Sequence, residues 1–186
     1  MDRRELLKTI AVLTGASVVG AEFFLTGCTT KTSNGILSNS MLSLLDEVGE
    51  TIIPATNTPG AKAAQIANFM NAIVSDCYTK EEQTVFLKGV SQLDEAANKT
   101  FKQTFLNCTA NQKHDLLVSL EKEAKTYNNT KPKDSPSHYY TMMKQLTLWG
   151  FFSSETGMTE TLRHVPIPGK YQGDLPYVKG DKAWAE

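Results

Sequence analysis

The residues able to do chemistry are few and widely separated. Three histidines, His114, His138 and His164, fall in no His-Glu-x-x-His, Cys-x-x-Cys or other compact ligand spacing, so no metal site is written into the chain. They read as solvent-facing or loop histidines near helix starts. Ser153, Ser154 and Glu155 form a polar triplet at the end of an apolar stretch, with no Gly-x-Ser-x-Gly elbow to expose a nucleophile. Local hydrogen bonding and capping is the simpler reading. No Gly-x-Gly-x-x-Gly follows a strand and no glycine-rich phosphate loop is present, so a dinucleotide site in this chain is not expected. Glu121, Glu123 and their neighbouring lysines read as a solvated helix face. The expectation is a chain with no catalytic, cofactor-binding or metal-ligating residue of its own.

The remaining chemistry-bearing residues lie at the N-terminus and at two cysteines. The chain opens with Arg3 and Arg4, followed by Leu6-Leu7-Lys8, an uncharged stretch from Thr9 to Ala21, and Leu25-Thr26-Gly27-Cys28. That stretch is too short to span about 30 Å of hydrocarbon, and a basic start before a short apolar run describes a secretory signal peptide. The arginine pair resembles the twin-arginine export motif, with Asp2 where Ser or Thr is usual and Leu6 where Phe is usual. Leu25 to Cys28 resembles the bacterial lipobox, whose cysteine receives a diacylglyceryl group and becomes the new N-terminus; acyl chains contribute about 0.8 kcal/mol per buried CH₂. Cys28 is then a lipidation site, and an ordinary apolar helix ending in Gly-Cys is the competing reading. In an oxidising compartment, Cys77 and Cys108 have two open readings. A bridge would close a loop of about 30 residues, worth roughly 3 to 4 kcal/mol; otherwise both are buried free thiols.

Composition sets the frame for these features. The 186 residues are 40% apolar and 21% charged, with 19 Lys and Arg against 20 Asp and Glu, which excludes collagen, low-complexity disorder and charged-tail proteins. The near-neutral balance supplies no electrostatic footprint for DNA or RNA. Residues 1–27 read as the export signal, 28–39 as a polar tether, 40–163 as one helical domain and 164–186 as an extended tail.

Hydrophobic periodicity predicts the helices. Met41, Leu44, Leu45, Val48 and Ile52 share one face, and Pro54 closes that helix. Pro54 to Gly60 is a turn by composition. A second helix from about Ala61 turns Ile66, Phe69, Met70 and Ile73 inward. Thr79 with Glu82, and Thr109 with Gln112, read as capping boxes that open helices carrying Phe86, Val90, Leu93 and Ala97, and Leu116, Leu117 and Leu120. Ser135-Pro136 reads as an N-cap and first helical residue of a fifth, central helix to about Glu155, with Tyr139, Met143, Leu146, Trp149, Gly150 and Phe152 as its apolar positions. Gly157 is expected to end or kink it, with further turns over Met158 to Arg163. The fold class is all-α, a single bundle of about five to six helices with a Pro/Gly/aromatic C-terminal tail that has two open destinations, its own bundle or a partner.

Several stretches together resemble one family. They are Glu50 to Ala64, Asp76-Cys77-Tyr78 before an acidic helix start, Leu146 to Gly157, Leu162 to Gly173, and Lys182-Ala183-Trp184. In this order they are similar to the gluconate 2-dehydrogenase subunit 3 family. The resemblance implies a non-catalytic small subunit that escorts a folded, FAD-containing flavoprotein of the glucose-methanol-choline oxidoreductase type through twin-arginine export, often with a c-type cytochrome subunit. FAD is expected in that partner and no cofactor in this chain. Its place would be the periplasmic face of a bacterial membrane, with lipidated Cys28 as anchor. Partner contact is expected through the turn at Pro54 and Pro59 and through Arg163, Pro166, Pro168, Tyr171, Tyr177 and Trp184. Two rivals stand beside this reading: an enzyme in its own right, with Glu155, Arg163 and His164 converging in a pocket, and a stand-alone envelope lipoprotein.

Overall fold

A computed structural model describes residues 35–167, 169, 173–176 and 178–185. The expectations for Arg3, Arg4, Cys28, Pro168, Tyr171 and Tyr177 lie outside the described residues. The fold is a helical bundle, as the periodicity predicts; the described residues also hold a small β ladder that the all-α reading did not include. Its elements are α1 (Asn39–Ile52), a 3-10 turn (Ala61–Ala64), α2 (Ile66–Asp76), α3 (Lys80–Phe101), a 3-10 turn (Phe105–Asn107), α4 (Ala110–Thr130), α5 (Tyr139–Ser153), a π turn (Gly157–Thr161), β1 (Arg163–His164) and β2 (Trp184–Ala185).

The folded body starts earlier than the tether reading placed it. Leu37 is buried and its N–H donates to Asn71 Oδ1 at 3.2 Å, while Ile36 N–H donates to Ser75 Oγ at 3.3 Å. Ser38 then caps α1, its hydroxyl accepting from Met41 N–H. Leu44, Leu45 and Val48 enter the core from α1.

The second helix is also divided. Gln65 takes a left-handed backbone, φ 51°, between the 3-10 turn and α2. With no capping side chain at that position, α2 borrows one: Asp46 Oδ1 on α1 accepts the Ala67 N–H at 3.0 Å. Ile66, Met70 and Val74 are fully buried, whereas Phe69 and Ile73 sit at the edge of the core.

Both capping boxes form. Thr79 Oγ1 accepts from Glu82 N–H while Glu82 accepts from Thr79 N–H, and Thr109 and Gln112 repeat the exchange. The expected residues of α3 and α4 are buried. Gln83, also buried, donates through Nε2 to the carbonyls of Val74, Ser75 and Tyr78, satisfying the end of α2 from the start of α3.

Helix α5 packs against α1, α2, α3 and α4 and is central, as expected. Its start and its outer face differ from the sequence reading. His138, rather than Ser135, is the N-cap, because its Nδ1 accepts from Tyr140 N–H while Ser135 N–H is spent in a turn on Pro132 O. Trp149 and Phe152, two of the apolar positions of this central helix, are exposed together with Leu148, and Phe151 takes the buried place between them. The tail is latched rather than free: β1 and β2 pair in parallel, Arg163 opposite Trp184 and His164 opposite Ala185. The expected boundary between domain and tail therefore runs through β1.

Close packing of α5 on α3 depends on Gly89. A Cβ there would lie 2.2 Å from Tyr139 Cβ and 2.3 Å from its Cγ. Gly89→Ala is expected to cost about 1–3 kcal/mol through overpacking, against the stabilisation of up to about 1 kcal/mol that this change brings in an open helix. The check is urea unfolding, with a lower midpoint at unchanged slope.

Candidate interaction surfaces

Two carboxylates on α1, Glu47 and Glu50, organise the turn after it. Glu50 accepts the Ala55 N–H at 2.8 Å and the Lys62 N–H at 3.0 Å, closing residues 54–62 around its side chain. Gly60 makes room for this: a Cβ there would lie 2.3 Å from Glu50 Oε1 and 2.6 Å from the Ala55 nitrogen. Ala61 N–H returns to Ile53 O at 3.0 Å. Pro54, Ala55, Thr56 and Asn57 are held exposed by this frame, and Pro59 is half-buried.

Glu47 ties three segments together. Its carboxylate pairs with Lys113 from α4 at 2.7 Å and with Lys62 from the 3-10 turn. Lys113 is buried, and its ammonium stands 5.9 Å from the Phe105 ring centroid. Burial pushes the Glu47 carboxyl up, but the hydrogen bonds and charges of Lys113 and Lys62 outweigh it and hold the group below its ordinary value. The Lys62 ammonium is raised chiefly by its bond to Glu47. Beside this cluster lies a cavity of about 390 Å³ lined by Glu47, Glu50, Thr51, Pro54, Lys113 and His114 among others.

The tail forms a second surface. The Arg163 guanidinium stacks over the Trp184 ring at 4.6 Å and pairs with Asp181 at 3.4 Å, while Lys182 Nζ donates to Glu160 O. This clasp leaves Ile167, Leu175 and Val178 exposed, Ile167 at 83%. Pro166 is exposed as well. Arg163 lines a shallow cavity of about 260 Å³ with Trp184 and Asp181, and neither Glu155 nor His164 is part of that lining. That cavity does not join the three residues of the enzyme reading.

A third surface was missed in the sequence. Leu148, Trp149 and Phe152 emerge from the second half of α5, and Trp149 meets Phe69 of α2 edge to face at a centroid distance of 5.3 Å. The available signal was a second apolar stripe on α5, at 148, 149 and 152, beside the one at 143, 146 and 150.

The other candidates have local roles. Ser154 Oγ donates to Phe151 O at 2.7 Å and accepts from Gly157 N–H at 3.0 Å, the capping role read for the serine pair. Cys77 is exposed at the end of α2, and Cys108 is buried with its thiol donating to Thr104 O at 3.4 Å; the two are unbridged. His164 is exposed in β1, but His138 is buried, not solvent-facing. Among the described residues no group of three or more His, Cys, Asp or Glu side chains is placed to hold a metal ion. No helix among them is long and apolar enough to cross a membrane.

With this geometry in place, comparison with known families is decisive on one point. A family model described as gluconate 2-dehydrogenase subunit 3 matches residues 40–169. The chain belongs to the gluconate 2-dehydrogenase subunit 3 family. No curated protein and no solved structure matches the chain. The family is that of a subunit in an enzyme complex, which implies a larger partner subunit. The matched span takes in the pinned turn, the exposed face of α5 and β1, and stops short of β2.

Two outcomes test the α1 cluster. Glu50→Ala removes a charged acceptor from two backbone donors and is expected to cost about 1.5–3 kcal/mol, with new protease cleavage confined to residues 54–62. Glu47 contributes stability that is present above the ordinary carboxylate range and is lost as pH falls through its depressed folded value. Glu47→Gln should therefore show a smaller drop in Tm than the native chain between pH 5 and pH 3; equal drops would place the acid sensitivity elsewhere.

Proposed function

We propose that this chain is the non-catalytic small subunit of a membrane-associated, flavin-dependent sugar or sugar-acid dehydrogenase of the gluconate 2-dehydrogenase kind. It assists folding, twin-arginine export and membrane retention of a glucose-methanol-choline-type large subunit, which carries the FAD, and a c-type cytochrome completes the electron path. Arg3 and Arg4 belong to the export signal, and lipidated Cys28 anchors the complex on the periplasmic face of the membrane.

The observation that supports this reading best is the Leu148, Trp149 and Phe152 face. Trp149 is 56% exposed, yet the Phe69 ring already fixes its orientation. Large aromatic side chains bury about 150–250 Å² each and dominate interface energetics, and a pre-oriented one has less rotamer freedom to lose on binding. The pinned turn at Pro54 offers a second rigid feature, since Glu50 orders its backbone before any partner arrives. The clasped tail offers a third, through Ile167 and Trp184. Family membership supports reading these surfaces as docking sites, because a subunit of a complex must cover part of itself with another.

Affinity purification of the tagged chain from detergent-solubilised native membranes, followed by an absorbance spectrum and mass identification, tests the proposal. A stoichiometric larger chain with a flavin spectrum is the expected result. Trp149→Ala combined with Phe152→Ala should reduce its recovery at least tenfold with helicity unchanged, and Trp184→Ala combined with Tyr171→Ala reports separately on the tail. A single chain without flavin would sink the reading in favour of a stand-alone envelope lipoprotein.

A further inference from the structure

His138 occupies an uncommon position for a titratable group, and its role there is independent of the proposed function. Its backbone N–H donates to Asn128 Oδ1 at 3.0 Å, and Asn128 Nδ2 donates in turn to Thr141 Oγ1 at 2.8 Å. Its imidazole Nδ1 accepts the Tyr140 N–H at 3.2 Å. An acceptor at Nδ1 requires the neutral ring with its proton on Nε2. Asn128 thus ties the first turn of the central helix to α4 in either state of the ring, whereas the His138 side chain caps that turn in one protonation state only.

The surroundings decide which state the fold favours. From α4, Glu123 faces Nε2 at 3.8 Å and Tyr127 approaches edge to face at 5.6 Å. From α3, Glu95 and Lys99 line the same cavity of about 520 Å³, one charge of each sign. On α5 itself the Tyr139 ring lies 4.4 Å away. The hydroxyls of Tyr139 and Tyr140 are pushed up to about 12 by burial and stay neutral. Burial lowers the imidazole below its ordinary value, with Glu123 opposing. The Glu123 side chain is 67% exposed, so its attraction is that of a surface pair and weak.

We propose that His138 is an acid-released latch on the start of α5: a proton taken from solvent by Nδ1 ends its acceptance of the Tyr140 N–H, and the first turn of α5 opens at that amide while Asn128 still holds its outer end. The N–H left behind is buried, and a buried donor without an acceptor is costly. Neutral His138 stabilises the latched form above the ordinary histidine range, and because its folded value is depressed, that stabilisation is lost as pH falls toward it.

Hydrogen exchange of the full chain in detergent micelles, read at the Tyr140 amide from pH 8 to pH 5 and corrected for intrinsic exchange, tests the latch. Below about pH 6.5 the opening constant of the native chain should rise by up to tenfold per pH unit. His138→Asn keeps a capping acceptor that does not titrate and should flatten the rise. Glu123→Gln leaves the cap intact and, by removing the group that favours the proton, should extend the rise to lower pH. A native profile flat across the range, or an unchanged rise in His138→Asn, would each overturn the proposal. The native profile carries the test by itself where His138→Asn does not fold.

Discussion

The charge cluster on α1 is the constraint from which the rest of the fold is arranged. Asp46, Glu47 and Glu50 lie within five residues, and each serves a different segment: Asp46 caps α2, Glu47 holds Lys62 and Lys113, and Glu50 wraps the turn between α1 and the 3-10 segment. A helix offering three acceptors along one edge needs donors there, and the chain supplies them from backbone N–H groups as readily as from lysines. These hydrogen bonds to charged acceptors are stronger than neutral ones. They act between segments far apart in sequence, so the edge defines where α2 and α4 can sit as α5 fills the space between them.

Helix α5 is in turn divided along its length. Its first half is buried on almost every side, with Tyr139, Tyr140, Met142 and Met143 in the core. The second half keeps Leu146, Thr147, Gly150 and Phe151 inward and turns Leu148, Trp149 and Phe152 outward. One helix therefore serves both as the centre of the bundle and as a presenting surface.

The legible parts of this protein were those whose partners are close in sequence. The capping boxes at Thr79 with Glu82 and Thr109 with Gln112 involve residues three apart, and the core stripes of α3 and α4 follow from the helical period alone. What the sequence concealed depends on distant partners: Asp46 capping Ala67, Asn71 recruiting Leu37, Asn128 fixing His138, and β1 meeting β2. Ser135-Pro136 carried the right local grammar for a helix start, but Asn128 draws the chain inward three residues later and moves the start to Tyr139. Trp149 misled for another reason. A helix with two apolar stripes has no polar face to mark which one is outside, and only the position of Phe69 and α2 resolves it. The family-defining stretches were legible as motifs, and the Glu50 and Gly60 pairing now gives the first of them a structural cause.

The parallel pairing of β1 with β2 has a consequence for how the protein varies. It fixes the two ends of the intervening segment at opposite ends of one ladder: Val165 N–H bonds to Ala185 O and Arg163 N–H to Ala183 O. A segment with both ends fixed in one ladder can change length without moving the bundle, since doubling a loop costs only about 0.6 kcal/mol of closure entropy. The family match ends at residue 169, inside this segment. A change of length between the two strands is thus absorbed by the segment itself, and the ladder keeps Trp184 against Arg163 and the tail's end on the helical body whatever lies between.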